Sequence, residues 1–582
     1  MTTLETEPAP APVAEPITRP RMRRLLGVAC AVAALGVSIS PVIGAAPGGD
    51  EAHWMGMATF LDFFRLTDVV IERQVGLGRW LPLEALLVGG TFSTFTSTWA
   101  YKLVMYGASI SALVYSAHVA TRYVRQRWAL PLVILAFVPV VQLRTYHDGV
   151  GQYFAVMPAL LALLAGIVHM VLITEERGLT RGRVVGLVVL ATAAALLSNL
   201  TIFVLPVLLL VSWFSNHARR QRIVAAAAIA TPILMSGALT YVLRRRAATP
   251  YPVDAQPWDI AASALRETWS VVPFSYVRSE GWSERADFGA PSTWWIVVFA
   301  VCAFVALATA LAERNPEGAC PPRRALVLNV AGLGLVFLPA LGVSLSGQHQ
   351  HGTLGVGYIE VTVGYGGVAW FVAGLVALAT GFVHTRRPAR PPVRPLRRAA
   401  VVIVLALLFT PIMFATFKNN AVAIDNFWAY EGSRELADSH VAELVFENQP
   451  EPDLTVGLPF LTELMRGYFP ERWDDERTRS FAGVSDGDLT AKPTSIITGT
   501  AEPRVVFALI VPDETKAPAS PGRPACTILW WADDLDRIAA VQIVDGAGVT
   551  YDVEELATDG RSHLAVSPPA VEGCGQLQFA PR

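Results

Sequence analysis

Long apolar segments alternate with short polar ones along most of the chain. The stretch 184–215 is too long for one helix, and the polar residues "SNL" at 198–200 predict a break between two short spans. The pattern predicts a polytopic α-helical membrane protein with about eleven transmembrane helices. The apolar segments are 24–46, 99–120, 128–143, 153–174, 184–198, 201–215, 223–243, 293–312, 325–345, 364–383 and 399–416.

The charges of the connecting loops predict the orientation. If the N-terminus is cytoplasmic, every inside loop is basic or contains arginine, as the positive-inside rule requires. Only "RRR" at 244–246 falls on the outer side. This orientation needs two helices in 184–215, and it places the C-terminus outside the cytoplasm. The inside loops are 121–127, 175–183, 216–222, 313–324 and 384–398.

The chain divides into three parts. Residues 1–23 predict a disordered cytoplasmic tail, rich in Pro, Ala, Glu and Thr. Residues 24–416 predict the transmembrane domain; the alternative for its first helix is a cleaved signal peptide. Residues 417–582 predict an extracytoplasmic α+β domain, with a helical first half and the strands "RVVFALIV", "CTILWWA" and "AAVQIVD" in the second.

Two cysteines, Cys526 and Cys574, lie in the strand-rich second half of that domain. Outside the cytoplasm they would form a disulfide that closes a small β domain; two buried free thiols are the alternative. The five cysteines of the chain match no CxxC metal or redox pattern.

The first outer loop, 47–98, contains two predicted helices. "MATFLDFFRLTDVVIERQV" at 57–75 has apolar positions at helical spacing with charges between them, which is typical of a helix in the membrane interface. "LPLEALLVGGTFSTF" at 81–95 predicts a second helix that dips into the interface.

Composition excludes several function classes. Charged residues make up 16% of the chain, against about 25% in soluble proteins, and the net charge of −2 gives no field for nucleic acid. The apolar segments carry few charges, which disfavours an ion-coupled transporter. Lys102 and His169 lie near helix ends, where they would snorkel. The sequence has no Walker A motif, no dinucleotide fingerprint and no HExxH.

The candidate chemistry lies on the outer side. "PGGDEAHWMG" at 47–56 follows the first helix and contains adjacent carboxylates and a histidine; its alternative interpretation is a solvated helix end. "RTYHDG" at 144–149 is a short loop with four functional side chains, or a solvated turn. The candidate residues of these two segments are Asp50, Glu51, His53, Arg144, His147 and Asp148.

Two further outer segments are candidates. "SGQHQHGTLGVGYIE" at 346–360 contains His349, His351 and Glu360, which would grip a donor phosphate or an acceptor; a metal at the His-x-His pair and a merely polar loop are the alternatives. The "RRR" segment would bind lipid headgroups or a lipid-linked phosphate.

These features together resemble the GT-C superfamily of membrane glycosyltransferases. An N-in first helix ends in an acidic pair, a long first loop carries interfacial helices, and "GLGRW" at 76–80 is similar to a Gly-Arg-Trp element in that loop of some bacterial members. The resemblance implies a polyprenyl-phosphate sugar donor, an acceptor on the outer face, and an acidic residue of the first outer loop as catalytic base. Asp50 is the residue to which this role carries over, with Glu51 beside it and Asp148 as the second acidic residue.

The chemistry of the expected reaction agrees with those residue types. A carboxylate takes the proton of the acceptor hydroxyl, and cationic groups hold the leaving phosphate. Arg79, Arg144 and His147 are the predicted phosphate contacts. Asp50 and Asp148, if they meet, would also hold Mg²⁺ or Mn²⁺.

The sequence therefore predicts a plasma-membrane glycosyltransferase. Its partners would be a polyprenyl-phosphate-linked sugar, an envelope glycan, lipid or protein acceptor, and membrane lipids, but no nucleic acid. One alternative is a flippase or polymerase of lipid-linked glycans without GT-C chemistry. The other is a membrane scaffold whose ectodomain binds partners.

Overall fold

The structure is a computed structural model. The residues that it describes form helices and, near the C-terminus, short strands. The described residues are 19–44, 54, 62–95, 98–143, 156–247, 256–275, 292, 294–312, 320–345, 360–386, 395–425, 495–497, 505–512, 526–532, 538–544, 549–558, 562–566 and 576–581.

Most of the described residues are helical, as the apolar segments predict. A short 3₁₀ turn, Ser40–Gly44, extends the first helix, and another, Arg127–Ala129, precedes the fifth. The helices are α1 Arg19–Ile39, α2 Phe63–Gly76, α3 Pro82–Thr94, α4 Thr98–Tyr123, α5 Leu130–Leu135, α6 Val156–Arg177, α7 Arg181–Leu197, α8 Thr201–Trp213, α9 Arg219–Arg246, α10 Pro257–Trp269, α11 Trp294–Ala312, α12 Pro322–Val343, α13 Val361–Arg386 and α14 Pro395–Asp425.

Eight of the described helices are long and apolar enough to cross a membrane, so the chain is a multi-pass helical membrane protein. The other three predicted spans contain the shorter helices α5, α7 and α8. The eight candidate spans are Met22–Ile43, Ala100–Tyr123, Val156–Arg177, Arg219–Arg246, Trp294–Ala312, Pro322–Val343, Val361–Gly381 and Ala399–Ala421.

The prediction of a continuous helix over 128–143 is wrong. Helix α5 ends at Leu135, and the chain continues to Leu143 without regular structure. Pro139 is the physical reason, because a proline ring clashes with the carbonyl four residues earlier and supplies no N–H. Phe137 and Val138 are wholly buried, and irregular backbone at membrane depth is tolerated only when protein encloses it.

The predicted break at "SNL" is present between α7 and α8. The Leu200 N–H donates to the Ser198 hydroxyl oxygen at 3.3 Å, which closes the turn locally. The Thr240 hydroxyl of α9 donates to the Asn199 side-chain oxygen at 3.4 Å. Side-chain hydrogen bonds of this kind compete with those of the helix, so two polar residues, Ser198 and Asn199, are enough to divide the apolar stretch.

Four of the five loops predicted to share the cytoplasmic side meet at one end of the bundle, here called the arginine end. Arg324, at the start of α12, pairs with Glu175 near the end of α6. Glu176 accepts from Arg122 of α4 at 2.7 Å. The Thr174 hydroxyl and a ring nitrogen of His217, which precedes α9, are 2.9 Å apart.

The first outer loop contains two helices where two were predicted. Helix α2 begins after Asp62, whose carboxylate accepts from the Arg65 N–H at 2.9 Å and so caps the helix. Helix α3 begins with Pro82, a residue suited to the first helical position. The two helices pack together where Gly89 lies against Thr67.

The three predicted strand segments near the C-terminus are strands. A five-stranded antiparallel sheet has the order β1-β2-β3-β7-β6, and a three-stranded one the order β5-β4-β8. The predicted helical part of this region, before residue 495, lies outside the described residues. The strands are β1 Ser495–Ile497, β2 Val505–Pro512, β3 Cys526–Ala532, β4 Ile538–Val544, β5 Thr550–Asp552, β6 Glu554–Thr558, β7 Ser562–Val566 and β8 Gln576–Pro581.

Helices α12 and α13 pack through glycines, and a substitution tests this contact. A Cβ at Gly367 would lie 2.5 Å from the Gly332 carbonyl oxygen, whereas one at Gly107 of α4 would meet no atom within 4 Å. We expect Gly367→Ala to force the helices apart and to cost about 1–3 kcal/mol, while Gly107→Ala is neutral or stabilising. Thermal unfolding of purified protein in one detergent measures both; equal unfolding temperatures would disprove the close contact.

Candidate functional site

The side chain of Asn420 ties three segments together at the other end of the bundle. It lies on α14 and is wholly buried. Its oxygen accepts from the Leu143 N–H at 2.7 Å, and its nitrogen donates to the Ser38 carbonyl at 2.7 Å and the Val141 carbonyl at 3.2 Å. One carboxamide therefore connects α1, α14 and the irregular segment that follows α5.

Gln142 connects this irregular segment to two more elements. Its side-chain nitrogen donates to the Val272 carbonyl at 2.9 Å, and its side-chain oxygen accepts from the Ser275 hydroxyl at 3.3 Å. The hydroxyl of Tyr365, on α13, is 3.3 Å from both the backbone nitrogen and the backbone oxygen of Gln142. We call Gln142 and Asn420, with these partners, the amide junction, and their side of the bundle the amide end.

The amide junction lies where the chain leads into the predicted catalytic segments. Ser38 precedes Asp50 by about three helical turns of sequence, and Leu143 precedes Asp148 by five residues. Because Asn420 bonds both Ser38 and Leu143, the segments that lead into the two acidic loops start from one place in the fold.

Most of the predicted site residues lie outside the described part of the chain, so their roles stay predictions. The predicted disulfide has the same standing, because Cys526 begins β3 and its predicted partner is not described. The residues outside the described ranges are Asp50, Glu51, His53, Arg144, His147, Asp148, His349, His351 and Cys574.

Glu360 is described, and it is buried rather than part of an exposed polar loop. It immediately precedes α13, and its side chain is enclosed at 3% exposure. Its carbonyl accepts from the Val363 and Gly364 N–H groups at 2.9 and 3.1 Å. The first turn of a helix favours negative charge, so this position suits a carboxylate.

Arg79 lies beside the "RRR" segment, which brings two predicted features together. Gly78 adopts φ +77°, and a Cβ there would lie 2.5 Å from the Arg244 Cα. Only glycine allows this approach, because it has no side chain and adopts positive φ freely. The "GLGRW" loop therefore packs onto the end of α9, and Arg79 and Arg244 belong to one cationic region.

The amide end also encloses Lys102, against the prediction that this residue snorkels. Its relative exposure is 0%, and its ammonium nitrogen is 5.4 Å from the centre of the Tyr101 ring. Tyr101 in turn lies 5.2 Å from Phe92 of α3. The signal in the sequence was a lysine within the first two turns of an apolar span, where burial and snorkelling are both possible.

Other polar side chains of the first outer loop are ordered as well. The Arg73 guanidinium lies over the Trp54 ring, 5.0 Å from its centre. The Gln74 amide donates to the Glu84 carboxylate at 2.8 Å, and Glu84 is 6% exposed. Trp54 follows the predicted Asp50–His53 cluster directly, so the chain is held by a cation–π contact next to that cluster.

The arginine end differs in its chemistry. His169 accepts from Arg122 through Nε2 at 2.6 Å, so its proton lies on Nδ1, 2.9 Å from the Tyr115 oxygen. Burial raises the pKa of the nearby Cys320 thiol above its usual value, and such a thiol is protonated and unreactive at neutral pH. Within the described ranges, no group of three or more His, Cys, Asp or Glu side chains is arranged to hold a metal ion.

The amide junction predicts that Asn420→Leu destabilises the protein more than the same change at the neighbouring Asn419. The change leaves the Ser38 and Val141 carbonyls and the Leu143 N–H buried without this partner, each at a cost of about 1–3 kcal/mol. We expect a lower unfolding temperature in detergent. Asn419→Leu is the control, because the Asn419 amide nitrogen has no hydrogen-bond partner in the described structure. Equal losses in both variants would contradict the role given to Asn420.

The contact of the "GLGRW" loop with α9 predicts that alanine substitution loosens the loop at one of its two glycines and has no effect at the other. Gly78→Ala places a methyl group against the Arg244 backbone and strains the positive φ, so it should loosen the loop. Gly76→Ala meets no atom within 4 Å and should be neutral. Limited proteolysis after Arg79 measures this. Faster cleavage is expected for Gly78→Ala alone, and unchanged cleavage there would show that the loop does not need the contact.

Comparison of the chain with protein-family models, with curated proteins and with solved structures finds no match. Its function is therefore inferred from its own residues and their contacts.

Proposed function

We propose that the chain is a membrane glycosyltransferase of GT-C-like architecture. It transfers a sugar from a polyprenyl-phosphate donor to an envelope glycan, lipid or protein acceptor at the amide end. The amide junction is the observation that carries the proposal. Through Asn420 it joins the segments leading to Asp50 and Asp148, which are the two carboxylates that such a reaction needs close together.

The buried and clustered cations support a phosphate-linked donor. Lys102 is enclosed near the start of α4, and Gly78, the neighbour of Arg79 in the chain, lies against the backbone of Arg244. Ammonium groups bind phosphate as point charges, and guanidinium groups match phosphate oxygens in geometry. Lys102, Arg79 and Arg244 are the proposed contacts of the donor phosphate, together with Arg144 and His147.

The proposed reaction is a displacement at the anomeric carbon. Asp50, or Glu51 beside it, takes the proton of the acceptor hydroxyl, and the acceptor oxygen forms the new glycosidic bond. The bond between the anomeric carbon and the phosphate oxygen breaks, and polyprenyl phosphate leaves with its electron pair. His53, His349, His351 and Glu360 would hold the two substrates, and Asp148 would support the base or share Mg²⁺ or Mn²⁺ with it.

In the proposed topology the protein crosses the plasma membrane eleven times, with its N-terminus in the cytoplasm and its C-terminus outside. Support comes from the contacts among four of the predicted inside loops at the arginine end. The strand region after residue 495 would then face the envelope, where it would orient the glycan acceptor. A disulfide between Cys526 and Cys574 fits that compartment.

A flippase of lipid-linked glycans is the second candidate, and Lys102 is the observation that favours it. A cation enclosed within a helical bundle would hold a diphosphate while the headgroup crosses the membrane. The two functions differ in their products, because a flippase forms no glycosidic bond.

Asp50→Asn tests the proposed base. The purified full-length protein is placed in lipid nanodiscs with polyprenyl-phosphate sugars and an envelope extract, and the products are analysed by mass spectrometry. We expect Asp50→Asn to lower the transfer rate by about 100-fold or more, the usual contribution of a general base. Asp68→Asn is the matched control, because Asp68 is an exposed carboxylate of the same outer loop, and its rate should stay unchanged.

Two results would overturn the proposal. One is an equal transfer rate in the wild-type protein and in Asp50→Asn, Glu51→Gln and the double variant. The other is headgroup movement across a proteoliposome membrane with no new glycosidic bond, which would favour the flippase.

A further inference from the structure

A cavity of about 220 Å³ opens at the arginine end, the end of the bundle opposite the amide junction. Four guanidinium groups and two carboxylates surround it, so positive charge is in excess. Its lining residues are Arg122, Arg125, Arg127, Leu172, Glu175, Glu176 and Arg324.

The carboxylates of the cavity do not satisfy its guanidinium groups. Glu175 is shared, because it pairs with Arg324 and is also 3.9 Å from Arg125. Glu176 pairs with Arg122. Within the described part of the chain, Arg127 has no ion pair.

Two of these arginines retain buried donors. The Nε atoms of Arg122 and Arg324 are buried and have no hydrogen-bond partner in the described structure. The Arg324 side chain is 5% exposed, and its other nitrogens are used by Glu175 and the Tyr123 carbonyl. A buried N–H without an acceptor costs about 1–3 kcal/mol, so these donors favour an acceptor that enters the cavity.

The backbone also holds one arginine in an unfavourable conformation. Arg125 has φ +55°, in the left-handed region that glycine favours. It follows the end of α4, where its N–H donates to the Arg122 carbonyl at 3.1 Å. Glycine is the usual residue at such a helix end, so an arginine here keeps its charge at the expense of backbone strain.

The depth of the cavity points to a lipid. Arg122, Glu176 and Arg324 lie at the ends of three candidate spans, where the hydrocarbon core gives way to headgroups. Arginine binds phosphate oxygens through parallel N–H bonds, and basic pockets between membrane helices bind anionic headgroups.

We propose that this cavity binds a phosphate-bearing anion, the phosphate diester of an anionic membrane lipid, separately from the site at the amide end. The phosphate oxygens accept hydrogen bonds from the Nε–H groups of Arg122 and Arg324. Arg125 and Arg127 close over the headgroup from the exposed side. The bound lipid links α4, α6 and α12.

Lipid-dependent thermal stability of the full-length protein tests this site. The protein in a neutral detergent is titrated with dioctanoyl phosphatidylglycerol, with dioctanoyl phosphatidylcholine, or with inorganic phosphate at matched ionic strength. The double variant Arg125→Gly, Arg127→Gln removes two charges, and glycine relieves the strained φ, so the fold is retained. Arg220→Gln is the control, an exposed arginine near the same end that does not line the cavity.

We expect phosphatidylglycerol to raise the unfolding temperature of the wild type and of Arg220→Gln, and the apparent Kd to rise at least tenfold in the double variant. If inorganic phosphate raised the unfolding temperature as much as phosphatidylglycerol does, and the double variant lost this effect too, the site would be assigned to a soluble phosphate. Stabilisation that phosphatidylcholine matches, or that the double variant retains, would overturn the proposal and leave a purely structural ion-pair network.

Discussion

Hydrogen bonds from side chains to irregular backbone hold this bundle together at one end. Between Leu135 and Leu143 the chain lies inside the bundle as a series of turns, with fewer i→i−4 hydrogen bonds than a helix would have. The membrane interior offers no water to replace them, so each exposed polar group there costs several kcal/mol. Asn420 and Tyr365 bond the backbone of Val141, Gln142 and Leu143, and together with the Gln142 side chain they connect the segment to four other elements.

The two ends of the bundle use polar residues in different ways. The amide end relies on neutral carboxamides to fix the backbone, and encloses single charges such as Lys102 and Glu360 near segments of functional interest. The arginine end pairs charge with charge, as at Arg324 and Glu175, and keeps a surplus of guanidinium groups around a cavity. Neutral carboxamides therefore fix the backbone geometry of the amide end without adding charge to it.

The features of the fold that could be predicted from the sequence are those with a local sequence pattern. Apolar length predicts the long spans, the triplet at 198–200 predicts the helix break, and short strand-like runs predict the C-terminal strands. Each of these signals lies within a few residues of the feature that it predicts. The amide junction was beyond reach, since Asn420 and Leu143 are separated by 277 positions. The burial of Lys102 was missed because a lysine near the end of an apolar segment has the same local pattern whether protein or the membrane interface surrounds it.

The same distinction between local patterns and distant contacts applies to the candidate site. Residue types and topology suffice to nominate carboxylates and arginines on one side of the membrane, as at Asp50 and Arg79. They cannot say which of these meet. The packing of Gly78 on Arg244 could be recognised only in three dimensions, although the glycine-rich "GLGRW" is its visible trace in the sequence.

The shortness of α7 and α8 has a consequence for the surrounding lipid. At 1.5 Å per residue they measure about 25 and 20 Å, against a hydrocarbon core of about 30 Å. Their outer surfaces are apolar and exposed at Val185, Val189 and Ile202. In the proposed topology of eleven spans, acyl chains that cover these surfaces would shorten to match them, and the bilayer would be thinner on this flank than around the longer helices. A lipid approaching from that side would then meet the protein with its phosphate already drawn toward the midplane.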